Sequence, residues 1–196
     1  MKVLKRMAHA TNEDIVSGRR GFLMASAALL TAGVALPRRV FAASAPLSSP
    51  ERKLAFYNTH TGEQLKTVYW ADGAYQSDSL SEIYRVLRDH RSDEVSPIDT
   101  RLLDLLHTLS DTLDTNSQFH VISGYRSPAT NARLASVSDG VAKHSLHMDG
   151  LAIDIRLPGR ELADVRRAAI ALRGGGVGYY PGSNFVHVDV GRVRTW

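Results

Sequence analysis

Apolar positions along this chain repeat with two different periods, and the places where the period changes mark its elements. Leu54-Ala55-Phe56-Tyr57 and Thr67-Val68-Tyr69-Trp70 are strand-like runs. Between them lie Asn58-Thr59-His60-Thr61-Gly62-Glu63, polar turn formers around a glycine, and the whole predicts a hairpin. The spacing then lengthens: Leu80, Ile83, Tyr84 and Leu87 share one helical face, with Ser79 and Glu82 at capping-box spacing. A second helix is predicted to begin at Ser96-Pro97, a cap followed by a first-turn proline. Its apolar face runs through Ile98, Leu102, Leu105, Leu106, Leu109 and Leu113.

The second half alternates more quickly. Phe119 to Ser123 predicts a strand, Gly124-Tyr125-Arg126-Ser127-Pro128 the turn leaving it, and Ser127-Pro128 the start of a short helix through Leu134. A loop to about Lys143 follows, then a strand over Leu151 to Arg156, a helix over residues 161 to 173, and Gly174-Gly175-Gly176 as its stop. Val177 to Tyr180 and Phe185 to Val190, joined by Pro181-Gly182-Ser183-Asn184, complete a strand pair. Strands and helices mixed in this order predict an α+β fold: a single compact domain with a mainly antiparallel sheet and flanking helices.

Composition removes whole classes of function. The 196 residues contain no cysteine, which excludes disulfides, thiolate metal sites, iron-sulfur clusters and a cysteine nucleophile. Any metal must therefore sit on His, Asp or Glu. The net charge of +4 suggests an anionic partner until it is divided along the chain. Residues 1–45 carry seven Lys/Arg against two acids, whereas residues 46–196 carry 17 against 18, so the body lacks the footprint of a nucleic-acid binder.

Residues 1–45 have the layout of an export signal, and residues 46–196 are left as one folded body. Arg19-Arg20 precede an apolar run from Phe22 to about Leu36, too short for a permanent span of about 20 residues. Arg38-Arg39 follow it, and small-x-small sites place cleavage after Ala42 or Ala45. The paired arginines before Phe22 and Leu23 resemble a twin-arginine (Tat) leader. A Sec-type leader or an uncleaved N-terminal anchor are the other readings, and each also carries the body out of the cytoplasm.

Two strands carry polar residues where a buried face should be apolar. Alternation sets Leu151, Ile153 and Ile155 against Ala152, Asp154 and Arg156, and sets Val186, Val188 and Val190 against Phe185, His187 and Asp189. A carboxylate on a largely buried face is costly without a partner, so Asp154 is expected to have a strong one, such as a cation or metal. His147 lies seven residues earlier, with Gly150 allowing a turn between them, and His187 can reach the same point if its strand pairs alongside. Two histidines and one aspartate with a fourth position open are the ligand set of a catalytic zinc, though a buried His-Asp hydrogen bond would use the same residues. His60, His90 and His107 lack such a partner set and read as turn or surface residues.

Ser145-Leu146-His147-Met148-Asp149-Gly150-Leu151-Ala152-Ile153-Asp154 resembles the S-x-H-x-x-G-x-A-x-D motif of the LAS zinc peptidases, which include D-Ala-D-Ala carboxypeptidases and lysostaphin- and hedgehog-type domains. Phe185 to Asp189 resembles the third-ligand strand of that group, and Ser123 to Ser127 its arginine-bearing turn. A resemblance over nearly the whole body is to the twin-arginine-exported YcbK/MepK-like murein endopeptidases. It includes Asn58 to Glu63, Arg88 to Arg91, Gly175 to Pro181, and Val193-Arg194-Thr195-Trp196. The resemblance implies a periplasmic zinc hydrolase that cuts peptide cross-links in peptidoglycan, with one zinc on His147, Asp154 and His187.

Many LAS relatives carry a proton acceptor a few residues before the third ligand, but Asn184 and Phe185 stand here and neither is a base. Asp189, on the same strand face as His187, takes that role in this reading, with orientation of a ligand as its alternative. His144 and Asp149 are reserves. Arg126 is assigned to a substrate carboxylate or the developing oxyanion. Ser145, Tyr179 and Tyr180 are expected near the cleft. Two other functions fit the same motif: a D-Ala-D-Ala carboxypeptidase, or a zinc-stabilised wall-binding module without hydrolysis.

Overall fold

The helical and strand periods read from the sequence meet in a mixed sheet of eight strands. A computed structural model describes residues 50–138 and 142–196, and the leader reading over residues 1–45 lies outside them. Strands β1 (Arg52–Asn58), β2 (Gln64–Ala71) and β3 (Ala74–Tyr75) precede helices α1 (Ser77–Val86) and α2 (Thr100–Thr112). Strand β4 (Phe119–Ser123), α3 (Pro128–Val137), β5 (Ala152–Arg156), α4 (Leu162–Leu172), β6 (Gly176–Tyr180), β7 (Phe185–Asp189) and β8 (Arg194–Thr195) follow. The spatial order is β3-β2-β1-β4-β5-β7-β6-β8. Neighbours are antiparallel except β1 with β4 and β6 with β8, so the expected α+β class and mainly antiparallel sheet are borne out.

The alternation places its apolar residues as expected. Phe56, Val121, Ile153, Ile155, Val186 and Val188 from neighbouring strands join Ile83, Leu102, Leu106, Leu109 and Val165 of α1, α2 and α4 in one buried cluster. Each fully buried Leu there contributes about 1.5–3 kcal/mol relative to an exposed one. The alternate positions of β5 and β7 point the other way, and that is where the polar residues lie.

Three local expectations yield to tertiary contacts. Helix α1 starts at Ser77 after Gln76 and has no side-chain cap, so the Ser79/Glu82 box does not form. Ser79 Oγ instead accepts a 3.0 Å hydrogen bond from Thr67 Oγ1 of β2, which ties the helix to the hairpin. Helix α2 is capped by Asp99, whose carboxylate accepts from the Arg101 amide at 2.8 Å, and Ser96-Pro97 remain outside it. The segment before α2 is held elsewhere: the Asp99 amide donates to the Gly150 carbonyl at 3.0 Å. Helix α4 ends on Arg173 in the left-handed region at φ 52°, so the glycines that follow are not its stop.

Candidate metal centre

The first candidate ligand is set by a short turn. Ser145 caps a 3-10 turn over Leu146–Asp149, and Gly150 at φ 67° swings the chain into β5. A Cβ at Gly150 would collide with the Pro97 carbonyl, so the turn requires glycine on both conformational and packing grounds. The His147 carbonyl accepts from the Arg126 amide at 3.1 Å, and His147 Nδ1 donates to the Gly124 carbonyl at 2.8 Å. Since a carbonyl only accepts, Nδ1 carries the proton and the lone pair of the neutral ring is on Nε2.

Strand register brings in the other two. Asp154 of β5 lies directly opposite His187 of β7, and Ala152 opposite Asp189. Asp154 Oδ1 is 2.9 Å from His187 Nδ1 and 3.3 Å from His147 Nε2, and those two nitrogens are 3.3 Å apart. All three residues are buried. Bonds of about 2.0–2.1 Å in tetrahedral geometry place donor atoms about 3.3–3.4 Å apart, so these three atoms match the face of one coordination tetrahedron. They are the group among the described residues arranged to hold a metal ion.

Asp189, to which the sequence reading assigns proton transfer, lies behind His187 and outside the cavity. Its carboxylate is fully buried and accepts from the Gly176 amide, the Gly191 amide, Arg194 and His187 Nε2, the last at 3.1 Å. With Nε2 donating to that carboxylate, the neutral His187 ring presents its Nδ1 lone pair to Asp154. Burial alone would raise the Asp189 carboxyl, but His187, Arg194 and the two amides hold it well below the usual carboxylate range.

A cavity of about 210 Å³ opens over the three atoms, lined also by Arg126, His144, Ser145, Tyr180, Phe185 and Trp196. The Arg126 side chain makes only long contacts: 3.3 Å to Asn131 Oδ1, 3.3 Å to Ser123 Oγ and 3.8 Å to Asp154 Oδ2. Its buried Nε has no hydrogen-bond partner among the described residues. Burial lowers the pKa of the guanidinium from its ordinary value, with Asp154 the counter-charge that opposes the shift. Of the other expected residues, Ser145, Tyr180 and His144 line the cavity, whereas Tyr179 lies under Arg166 and Asp149 is not among the lining residues.

The remaining histidines stand apart from the three. His60 and His90 stack with centroids 3.9 Å apart, and His107 faces Asp111 at 3.5 Å. His90 lies beyond the end of α1. Sequence reasoning gave no role to the Gly124 carbonyl, Arg194 or Trp196. Of these, only the Arg194-Thr195-Trp196 ending carried a signal, as part of the resemblance.

The family model described as Peptidoglycan L,D-endopeptidase MepK matches residues 47–196, a span that includes all three residues. The chain belongs to the MepK family. It is 40% identical over 184 residues to the peptidoglycan L,D-endopeptidase MepK of Escherichia coli (strain K12), covering 93% of this chain and 100% of that protein. The Shigella flexneri MepK matches to the same extent. The probable peptidoglycan L,D-endopeptidase MepK of Haemophilus influenzae is 42% identical over 163 residues, 82% of this chain and 86% of that one. The resemblance to MepK-like murein endopeptidases read from the sequence is therefore borne out. MepK membership makes this a peptidase and implies a metal, which His147, Asp154 and His187 are arranged to bind.

Proposed function

We propose that this protein is a zinc-dependent murein endopeptidase that hydrolyses peptide cross-links of peptidoglycan, and specifically L,D-linked ones, as its relatives are named. The observation that carries the reading is the triangle of His147 Nε2, Asp154 Oδ1 and His187 Nδ1 with 2.9–3.3 Å edges, open to a cavity on one side. Three protein ligands with a free fourth position suit catalytic rather than structural zinc. When bound, such an ion lowers the pKa of a water to about 7 and polarises the scissile carbonyl.

The chain's own groups supply the rest. Gly124 and Asp189 hold the two rings in the tautomers that aim their lone pairs at one point. Asp189 thus acts by orienting His187. Outside the three ligands, His144 is the group in the cavity able to accept a proton, and unchanged turnover in a His144→Ala variant would exclude it from that role. Arg126 lines the cavity with its terminal nitrogens held only by long contacts, which suits it to receive a stem-peptide carboxylate or the oxyanion that develops in hydrolysis.

Residues 1–45 are proposed to direct export by the twin-arginine route, leaving residues 46–196 in the periplasm against the wall. Among the described residues no helix is long and apolar enough to cross a membrane. Replacing Arg19 and Arg20 by lysine tests the route: protein retained in the cytoplasm supports it, and unchanged export sinks it. The activity is tested with purified cross-linked and monomeric muropeptides. Loss of L,D-linked dimers, abolished by chelation and restored by zinc, is the expected result. Release of free D-Ala from monomers would instead identify a carboxypeptidase. Binding to sacculi without any cleavage by the zinc-loaded protein would identify a wall-binding module.

A further inference from the structure

Two arginines line the cavity, and their hydrogen bonds divide them. Arg126 keeps an unpartnered Nε, whereas both terminal nitrogens of Arg194 are committed. Arg194 donates from NH2 to Asp189 Oδ2 at 2.7 Å, and from NH1 to Asp189 Oδ1 at 3.1 Å and the Arg192 carbonyl at 2.9 Å. This is a two-point fork onto the carboxylate that receives His187 Nε2. A face of the guanidinium also lies 4.8 Å from the centroid of the Trp196 ring. Arg194 is therefore spent on Asp189 and has little left for a substrate.

The chain is shaped to allow this fork. Strand β8 runs parallel to β6, pairing Arg194 with Gly176 and Thr195 with Val177. A Cβ at Gly176 would collide with both Arg194 and the Asp189 carboxylate, and one at Gly178 would lie 2.7 Å from the Trp196 ring. The glycines after α4 thus serve close approach: they let Arg194 reach Asp189 and let Trp196 settle on the sheet. Trp196 in turn donates from Nε1 to Tyr180 Oη at 2.7 Å, with its ring centroid 5.2 Å from that of His187.

We propose that Arg194 is a positioning residue for the metal centre, fixing the ring of His187 through the Asp189 carboxylate, while Trp196, just past β8, packs its ring against that of His187. Without the fork, Asp189 keeps its two amide donors on Oδ1 but loses the donor that holds Oδ2 in place. The His187 ring can then turn, and its Nδ1 leaves the triangle. The inference rests on the reading of His187 as a ligand, and its test tells the two apart.

Zinc affinity of the purified protein is measured by competition with a chromophoric chelator, and the visible absorption spectrum of the Co²⁺ form reports the geometry at the ion. Arg194→Ala is expected to weaken zinc binding about 10–100-fold and to shift the cobalt bands, as loss of a partner behind a ligand does. Arg194→Lys, which restores charge without the fork, should recover part of the affinity. Should Arg194→Ala not fold by circular dichroism, Arg194→Gln is read in the same way. A variant that binds zinc within twofold of wild type and keeps the wild-type cobalt spectrum overturns the positioning role alone. Wild-type protein that takes up neither metal overturns the ligand reading beneath it.

Discussion

Asp154 and His187 face each other across β5 and β7, with Oδ1 of one 2.9 Å from Nδ1 of the other. Antiparallel register alone makes this contact, and His147 closes it into a triangle from a turn that precedes β5. Two neutral imidazole lone pairs and an ionised carboxylate converging in a buried space repel unless a cation joins them. The donor set is therefore suited to a metal ion.

Asp154→Asn keeps the shape of the side chain and removes its charge. The variant is expected to lose most of its bound metal, measured by elemental analysis, with cross-link hydrolysis down by at least about a thousandfold. Zinc at a hundred times its Kd should stabilise the wild type by about 2.7 kcal/mol, seen as a rise in Tm, and leave the variant nearly unchanged. Equal Tm shifts in the two proteins would place the metal elsewhere.

Arg126→Ala should lower kcat/KM about 10–100-fold while zinc affinity stays within a few-fold, because the side chain lies 3.8 Å from Asp154 Oδ2 and does not contact the ligand atom. Arg126→Lys is expected to recover little, since an ammonium cannot make a bidentate contact. Steady-state kinetics on purified muropeptide dimers, alongside a metal titration, check both statements.

Acid stability should depend on Asp89. Its buried carboxylate accepts from the Ser127 amide at 3.0 Å, the Ser127 hydroxyl at 2.8 Å and the Arg91 amide at 3.0 Å, joining the loop after α1 to the cap of α3. Burial opposes its charge, yet these donors and Thr130 hold its pKa well below the ordinary value. A depressed carboxyl pKa adds stability above the unfolded-state value of about 4, and that stability is lost as pH falls below it. Asp89→Asn should cost about 1.5–3 kcal/mol at neutral pH and flatten the fall in Tm between about pH 5 and 3. A parallel downward shift of the whole Tm-against-pH curve would contradict this.

Gly150→Ala combines a left-handed residue with a collision against the Pro97 carbonyl. About 1–2 kcal/mol of destabilisation comes from the backbone alone, and the collision adds to it. Because Gly150 aims the turn that carries His147, zinc affinity should fall together with Tm. A variant that melts earlier but binds zinc with wild-type affinity would show that the turn does not govern the ligand.

Much of the molecule was legible in the pattern because strand alternation is a local property. The period of two alone separated Asp154 and His187 from Ile153, Ile155, Val186 and Val188, and the structure buries the two sets on opposite faces of β5 and β7. Helix starts were less legible. Ser79 had a choice between the backbone of its own helix and Thr67, and only the packed hairpin decided it. Asp189 looked available for chemistry because its strand face matched that of His187. Its withdrawal from the cavity depends on Gly176, Gly191 and Arg194, which are neighbours only after folding.

The sequence by itself determined the residue types able to bind a cation, the faces they occupy and the family to which they belong, since each follows from order and spacing along the chain. Only the tertiary structure decided which nitrogen of each histidine is free, which arginine is committed to Asp189 and why glycines follow α4. Those are properties of hydrogen-bond partners and close approaches between segments far apart in the chain, and no local period encodes them.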